Sequence, residues 1–145
     1  MDSVLLDTNF LLDLAISTRP GSVAARQVFD MSTNGMLAAY VASSSLKDFY
    51  YIARKELGEQ NRREWISLFL DSFIAEGFSA AACRAALGSD EPDFEDGLVR
   101  ALAESLSVDA IVTRDLAAYG GSKVPSMTPE ELLTSIAENS LGEGR

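Results

Sequence analysis

Ser3-Val4-Leu5-Leu6-Asp7-Thr8-Asn9 is a short apolar run that stops at a carboxylate, and Asp109-Ala110-Ile111-Val112-Thr113-Arg114-Asp115 repeats the pattern near the other end of the chain. A continuous apolar run of this length, bounded by polar residues, reads as a strand buried on both faces, as in a parallel sheet. Each acid then stands just beyond the carboxyl end of its strand. Working outward, Asn9 can cap a helix through Ile16 that Arg19-Pro20-Gly21 ends, and Ser22 to Ser32 reads as a second helix closed by Asn34-Gly35. Leu37 to Ala42 reads as the second strand.

Ser43-Ser44-Ser45 offers three candidate caps for a helix running to around Leu57, which places Asp48 in its first turn. Arg62 to Leu70 is amphipathic, and Phe73 to Phe78 reads either as a third strand or as the end of that helix. Ala80 to Leu87 is helical by composition. Pro92 opens a longer helix with Phe94, Leu98, Ala101, Leu102 and Ser105 on one face. Val124 starts a brief final strand, and Thr128-Pro129-Glu130-Glu131 is a helix start leading into Leu132 to Ala137. Strands alternating with helices predict one α/β domain over residues 1–138, with a mainly parallel central sheet flanked by helices and a frayed tail over 139–145.

Composition narrows the chemistry. The 145 residues include no histidine and one cysteine, Cys83, which removes histidine general bases, Ser-His-Asp and Cys-His catalysis, Cys/His zinc sites and any intramolecular disulfide. Cys83 sits in an apolar run and is assigned no role. Met36 to Ala42 is too short to span a membrane, and Ile66 to Ala75 is interrupted by Asp71 and Ser72. The N-terminus lacks the basic and long apolar regions of a secretory signal, so a cytoplasmic protein without membrane contact is expected. The net charge of −10 disfavours nucleic-acid binding by charge alone, although Lys47, Arg54, Lys55, Arg62 and Arg63 crowd one window. Asp90, Glu91, Asp93, Glu95 and Asp96 form the opposite extreme.

In an open parallel sheet, sites form outside the carboxyl ends of the strands, where the following helices also begin. Asp7, Asp48, Asp96 and Asp115 can therefore converge. Glu95 and Asp93 compete with Asp96, and spacing does not choose among them. Several like charges in a small volume call for a cation, and all-oxygen donors without histidine or thiolate select a hard divalent ion such as Mg²⁺ or Mn²⁺. Such an ion acidifies a bound water and neutralises phosphoryl charge, replacing the missing histidine base. Single acids at helix starts also serve as plain caps.

Leu5-Leu6-Asp7-Thr8-Asn9, Ser45-Leu46-Lys47-Asp48-Phe49-Tyr50-Tyr51, Pro92-Asp93-Phe94-Glu95-Asp96-Gly97-Leu98 and Ile111-Val112-Thr113-Arg114-Asp115 resemble, in order and spacing, the acidic motifs of PIN-domain ribonucleases. The ending Lys123 to Leu133 is similar to that of their bacterial toxin-like members, the VapC type. The resemblance implies a PIN-like fold in which Asp7, Asp48, Asp96 and Asp115 hold one or two Mg²⁺ or Mn²⁺ ions. Asp93 is then a reserve ligand, while Asn9 and Thr113 orient carboxylates or water. Asp48 stands where glutamate is commonest in the family and reaches less far. The implied activity is metal-dependent hydrolysis of RNA phosphodiesters leaving 5′-phosphate and 3′-hydroxyl ends, with Arg54, Lys55, Arg62 and Arg63 holding the RNA backbone. The implied partners are a small antitoxin and a second copy of the chain. A catalytically silent PIN-like module binding RNA or protein is the alternative. A phosphohydrolase or phospho-receiver ranks below both, since Asp7-Thr8-Asn9 lacks a second aspartate two residues on.

Overall fold

β1 (Ser3–Leu6) lies at the centre of a five-stranded, wholly parallel sheet, flanked by β2 (Ala38–Ala42) and β4 (Ala110–Val112). The strand order is β3-β2-β1-β4-β5, with β3 (Ile74–Glu76) and β5 (Ser126–Met127) as short edges. The register pairs Leu6 with Val41 on one side and with Val112 on the other. The computed structural model describes residues 2–90 and 93–143, and for 140–143 the backbone alone.

The apolar run that predicts β1 is buried on both sides for a visible reason. Successive side chains of a strand point to opposite faces. Val4 and Leu6 join Ala39, Val41, Ala110 and Val112 in a large core beneath α1 (Thr8–Ala15), α2 (Ser22–Thr33), α3 (Ser43–Ile52), α4 (Glu59–Ser72) and α7 (Pro129–Glu143). Leu5 and Ile111 face the other way, onto Leu102 and Ala103 of α6 (Phe94–Leu106) and the ring of Tyr119. The remaining helix, α5 (Ala80–Leu87), rests on α6. Gly97 permits that approach, because a Cβ there would come within 3.1 Å of the Ala86 backbone.

Several local expectations are corrected. Asp7, not Asn9, caps α1, accepting from the Phe10 N–H. α3 follows Ala42 directly, and none of the three serines provides a side-chain cap. The buried face of α6 is Gly97, Leu102 and Ala103, whereas Phe94 and Ser105 are exposed. This helix begins at Phe94 with Asp93 as its cap, and Pro92, the expected first residue, lies outside the described residues, as does Glu91. The final strand starts at Ser126 rather than Val124. α7 begins as read, with Thr128 and Glu131 capping each other reciprocally, and runs beyond the expected helix end at Ala137 to Glu143. Residues 144 and 145 of the expected tail lie outside the described residues.

Candidate functional site

The connection of β1 through α1 and α2 goes to one side of the sheet, while β4 pairs on the other, so the crevice beyond β1 and β4 is a topological switch point. Asp7 stands in it. Its backbone N–H donates to Val112 O at 3.3 Å, extending the β1–β4 ladder by one residue and fixing where the side chain emerges. One carboxylate oxygen accepts from the Phe10 N–H at 3.0 Å. The Thr113 hydroxyl, itself accepting from the Asp115 N–H at 3.0 Å, donates to the same carboxylate. Burial pushes the Asp7 carboxyl above its ordinary range, opposed in part by those two donors; Asp13 adds to the rise and Arg114 works against it.

Asp7 opens onto a cleft of about 660 Å³, whose wall also carries Asp48 from α3, Asp96 and Glu95 from the first turn of α6, Asn9 and Lys47. Four acids from three separate stretches of sequence thus face one space. Asp93 is exposed and caps α6, accepting from the Asp96 N–H at 2.8 Å, and it is not part of the wall. Asp115 is exposed and also outside the wall, tied to the site through Thr113. Asn9 lines the cleft with its side-chain oxygen accepting from Arg19 at 3.3 Å. Among the described residues, no group of three acidic side chains stands close enough to hold an ion together.

Two residues escape the sequence reading. Tyr119 lines the cleft with its ring 7% exposed, and burial together with the fields of Asp7, Asp96, Asp115 and Asp93 drives its phenol pKa upward. The phenol is therefore a neutral donor at neutral pH, and the four acids share its neighbourhood. Asp13 is the other. It is 3% exposed, in the middle of the apolar run of α1, and its two oxygens take Arg19 Nε at 2.7 Å and Arg114 Nε at 3.0 Å. Arg114 also reaches Glu130 on α7 at 3.2 Å, so this ion-paired chain anchors the loop that carries Thr113 and Asp115.

The basic window divides in two. Arg62 and Arg63 both pair with Glu59 on α4, at 3.2 and 2.7 Å, and Arg62 stacks on Tyr50, 4.3 Å from the ring centroid. The Tyr50 hydroxyl also donates to Glu59, and these contacts hold its carboxyl below the usual value. Arg54 and Lys55 sit in the 3-10 turn Ala53–Lys55 after α3 and line a second depression beside the acidic cleft. The early-helix residues Phe10, Leu11, Leu14 and Val28 are buried in the core, with Phe29 half-buried against it.

The family model of the PIN domain matches residues 3–117. No curated protein matches the chain in sequence. Among solved structures, the fold is similar to VapC20 of Mycobacterium tuberculosis, a sarcin-ricin loop cleaving toxin, with 12% identity and a TM-score of 0.67 over 82% of this chain and 95% of that one. A toxin-antitoxin complex from Klebsiella pneumoniae is similar at 21% identity and a TM-score of 0.65, covering 87% of this chain and 97% of that one. DNA-bound VapBC from Salmonella typhimurium gives 16% identity and a TM-score of 0.65, covering 89% and 99%. At these identities the likeness is one of fold.

Proposed function

Because the chain belongs to the PIN domain family, we propose that it is a metal-dependent endoribonuclease acting as the toxin of a toxin-antitoxin pair. The observation that carries this reading is the single cleft lined by Asp7, Asp48 and Asp96, with Asp7 buried and its charged form disfavoured. A buried carboxylate in that condition is stabilised by a cation, and the donors around it are hard oxygens. Asp7, Asp48 and Asp96 would hold Mg²⁺ or Mn²⁺, one ion or two, with Asp115 joining from the β4 loop and Asp93 in reserve. When bound, the ion supplies charge neutralisation at the phosphodiester and a water of lowered pKa.

The rest of the chemistry falls to the chain itself. Thr113 and the Phe10 N–H fix the orientation of the Asp7 carboxylate, as outer partners of a ligand do. Asn9, held by Arg19, presents its amide to the cleft, and Tyr119 presents a neutral phenol donor. Arg54 and Lys55 hold the RNA backbone; Arg62 and Arg63 do so only by giving up Glu59. The partners are single-stranded RNA, a second copy of the chain and a small antitoxin that offers arginine to the acidic cleft, since guanidinium pairs bidentately with carboxylate. The cytoplasm is the compartment this reading requires, and no helix among the described residues is long and apolar enough to cross a membrane.

A catalytically silent binding module is the second reading, favoured by the absence of a ready-made three-acid group among the described residues. Expression in a bacterial host separates them. Under the toxin reading, wild type slows growth, Asp7→Asn at matched levels does not, and co-expression of the neighbouring small open reading frame restores growth. RNA from the slowed cells should carry new 5′-phosphate ends. Equal tolerance of both forms, with unchanged RNA ends, would refute the toxin reading.

A further inference from the structure

The acidic cleft has a basic neighbour. A depression of about 370 Å³ is lined by Arg19, Tyr51, Ile52, Arg54 and Lys55, and Tyr51 and Ile52 belong to its wall and to the wall of the acidic cleft alike. The continuity follows from α3, where Asp48, Tyr51 and Ile52 stand three and four residues apart on one helical face. An acid therefore gives way, within one turn, to an aromatic shelf and then to cations. Glu56 is the one acid in the basic wall, set against Arg54, Lys55 and an Arg19 that is already paired with Asp13. Lys55 has no acidic partner among the described residues, and Arg54 is stacked on Tyr51, its guanidinium carbon 3.8 Å from the ring centroid. Tyr51 as a whole remains 63% exposed.

We infer that this depression is a subsite for single-stranded RNA, in which Arg54 and Lys55 take the phosphate next to the one in the acidic cleft and Tyr51 stacks its base. The inference rests on the nuclease reading for the position of the reacting phosphate, and adds a site that binds without metal. Its physical basis is charge. A chain of net charge −10 repels a polyanion, so affinity must come from a local positive surface. Here that surface directly adjoins the acids, and a strand crossing the Tyr51–Ile52 boundary places successive phosphates on opposite sides of it. The Tyr51 ring, backed on one side by Arg54, offers its other face to a base, a contact that needs an unpaired base and so selects single strands over duplex.

The test is fluorescence anisotropy of a short labelled single-stranded RNA titrated with the 145-residue protein in chelator, across a range of salt concentrations. Arg54→Ala and Lys55→Ala should each weaken binding and reduce the salt slope by about 1. Tyr51→Ala should weaken it roughly tenfold with the slope unchanged, and Tyr51→Phe should bind as wild type. Arg26→Ala, a cation on α2 outside both walls, serves as the control. An unchanged slope in both cation variants, an equal loss in Arg26→Ala, or full affinity in Tyr51→Ala would each overturn the subsite. Metal-dependent cleavage measured in parallel keeps the two readings apart. Cleavage by wild type with normal binding by the variants removes the subsite alone; variant-sensitive binding without cleavage in any divalent ion removes the nuclease and leaves the subsite.

Discussion

Gly21→Ala tests whether the Asp13–Arg114 ion pair, which anchors the Thr113–Asp115 loop, has the rigidity its geometry implies. The backbone at Gly21 has φ −83° and ψ 0°, ordinary right-handed geometry, so alanine meets no conformational strain and gains about 0.4–1 kcal/mol from a stiffer unfolded chain. Against that gain stands a contact. A Cβ would fall 2.1 Å from Asp13 Oδ2 and 2.2 Å from Arg114 Nη2. Asp13 is buried and its other oxygen is held by Arg19 at 2.7 Å, so it can only turn Oδ2 away from the new methyl. Arg114, its side chain 39% exposed, is displaced at the same time, leaving one oxygen of a buried carboxylate without its partner. Loss of a partner from a buried pair costs about 3–5 kcal/mol, and the entropic gain reduces this to about 2–4 kcal/mol. In a chain of this size the Tm should fall by about 5–15 °C. Urea unfolding followed by the single tryptophan, Trp65, should show a lower midpoint at constant slope. In an Arg114→Ala background the same substitution should cost at least about 1 kcal/mol less, because half of the clash is gone. A change within about 0.5 kcal/mol of wild type, or an identical cost in both backgrounds, would refute the argument.

Asp7→Asn should keep the cap on the Phe10 N–H, since Asn caps as well as Asp. The folded-state carboxyl of Asp7 is raised, so the stability it contributes is complete below its ordinary value of 3.8 and lost as pH rises through the raised value; the variant's Tm should match or exceed wild type at neutral pH, with the gap closing as acid is added, and a lower Tm at neutral pH would contradict this. Asp96→Asn should abolish cleavage with circular dichroism unchanged; wild-type turnover would remove its assigned role. Tyr119→Phe should leave the fold intact but lower the cleavage rate, and an unchanged rate would show that the phenol serves only packing. Ser107 closes α6 at φ 55°, so Ser107→Gly should stabilise by about 0.5–1 kcal/mol in urea unfolding, with a loss of stability as the contrary result.

The sheet was legible because its central strands announce themselves: Val4-Leu5-Leu6 and Ala110-Ile111-Val112 are buried on both faces and each stops at a polar switch-point residue. The start of α7 was equally plain, since Thr128 and Glu131 carry the spacing of a reciprocal cap. Asp13 was not, because one charge inside an apolar run reads as the polar side of a helix unless its partners, distant in sequence, are known. Arg114 lies 101 residues away. On α6, Leu102 of the expected face is buried, but Phe94 and Ser105 are exposed, and the contact with α5 runs through Gly97, which has no side chain to register on a hydropathy wheel. Tyr119 gave no signal beyond an aromatic residue in the stretch after Asp115. The pairing of Arg62 and Arg63 with Glu59, by contrast, was available from helical spacing, three and four residues on. For the acids, strand and helix ends put Asp7, Asp48, Asp96 and Asp115 at one edge of the sheet, but only packing distinguishes the cleft-lining Asp7, Asp48, Asp96 and Glu95 from Asp115 and the capping Asp93.

The most direct measurement is RNA cleavage by the purified protein with Mg²⁺, with Mn²⁺ and with chelator, run beside Asp7→Asn. The account predicts fragments bearing 5′-phosphate and 3′-hydroxyl ends from wild type in the presence of either ion, none in chelator, and none from Asp7→Asn under any condition. Intact RNA in all wild-type reactions, or equal cleavage by Asp7→Asn or in chelator, would contradict it.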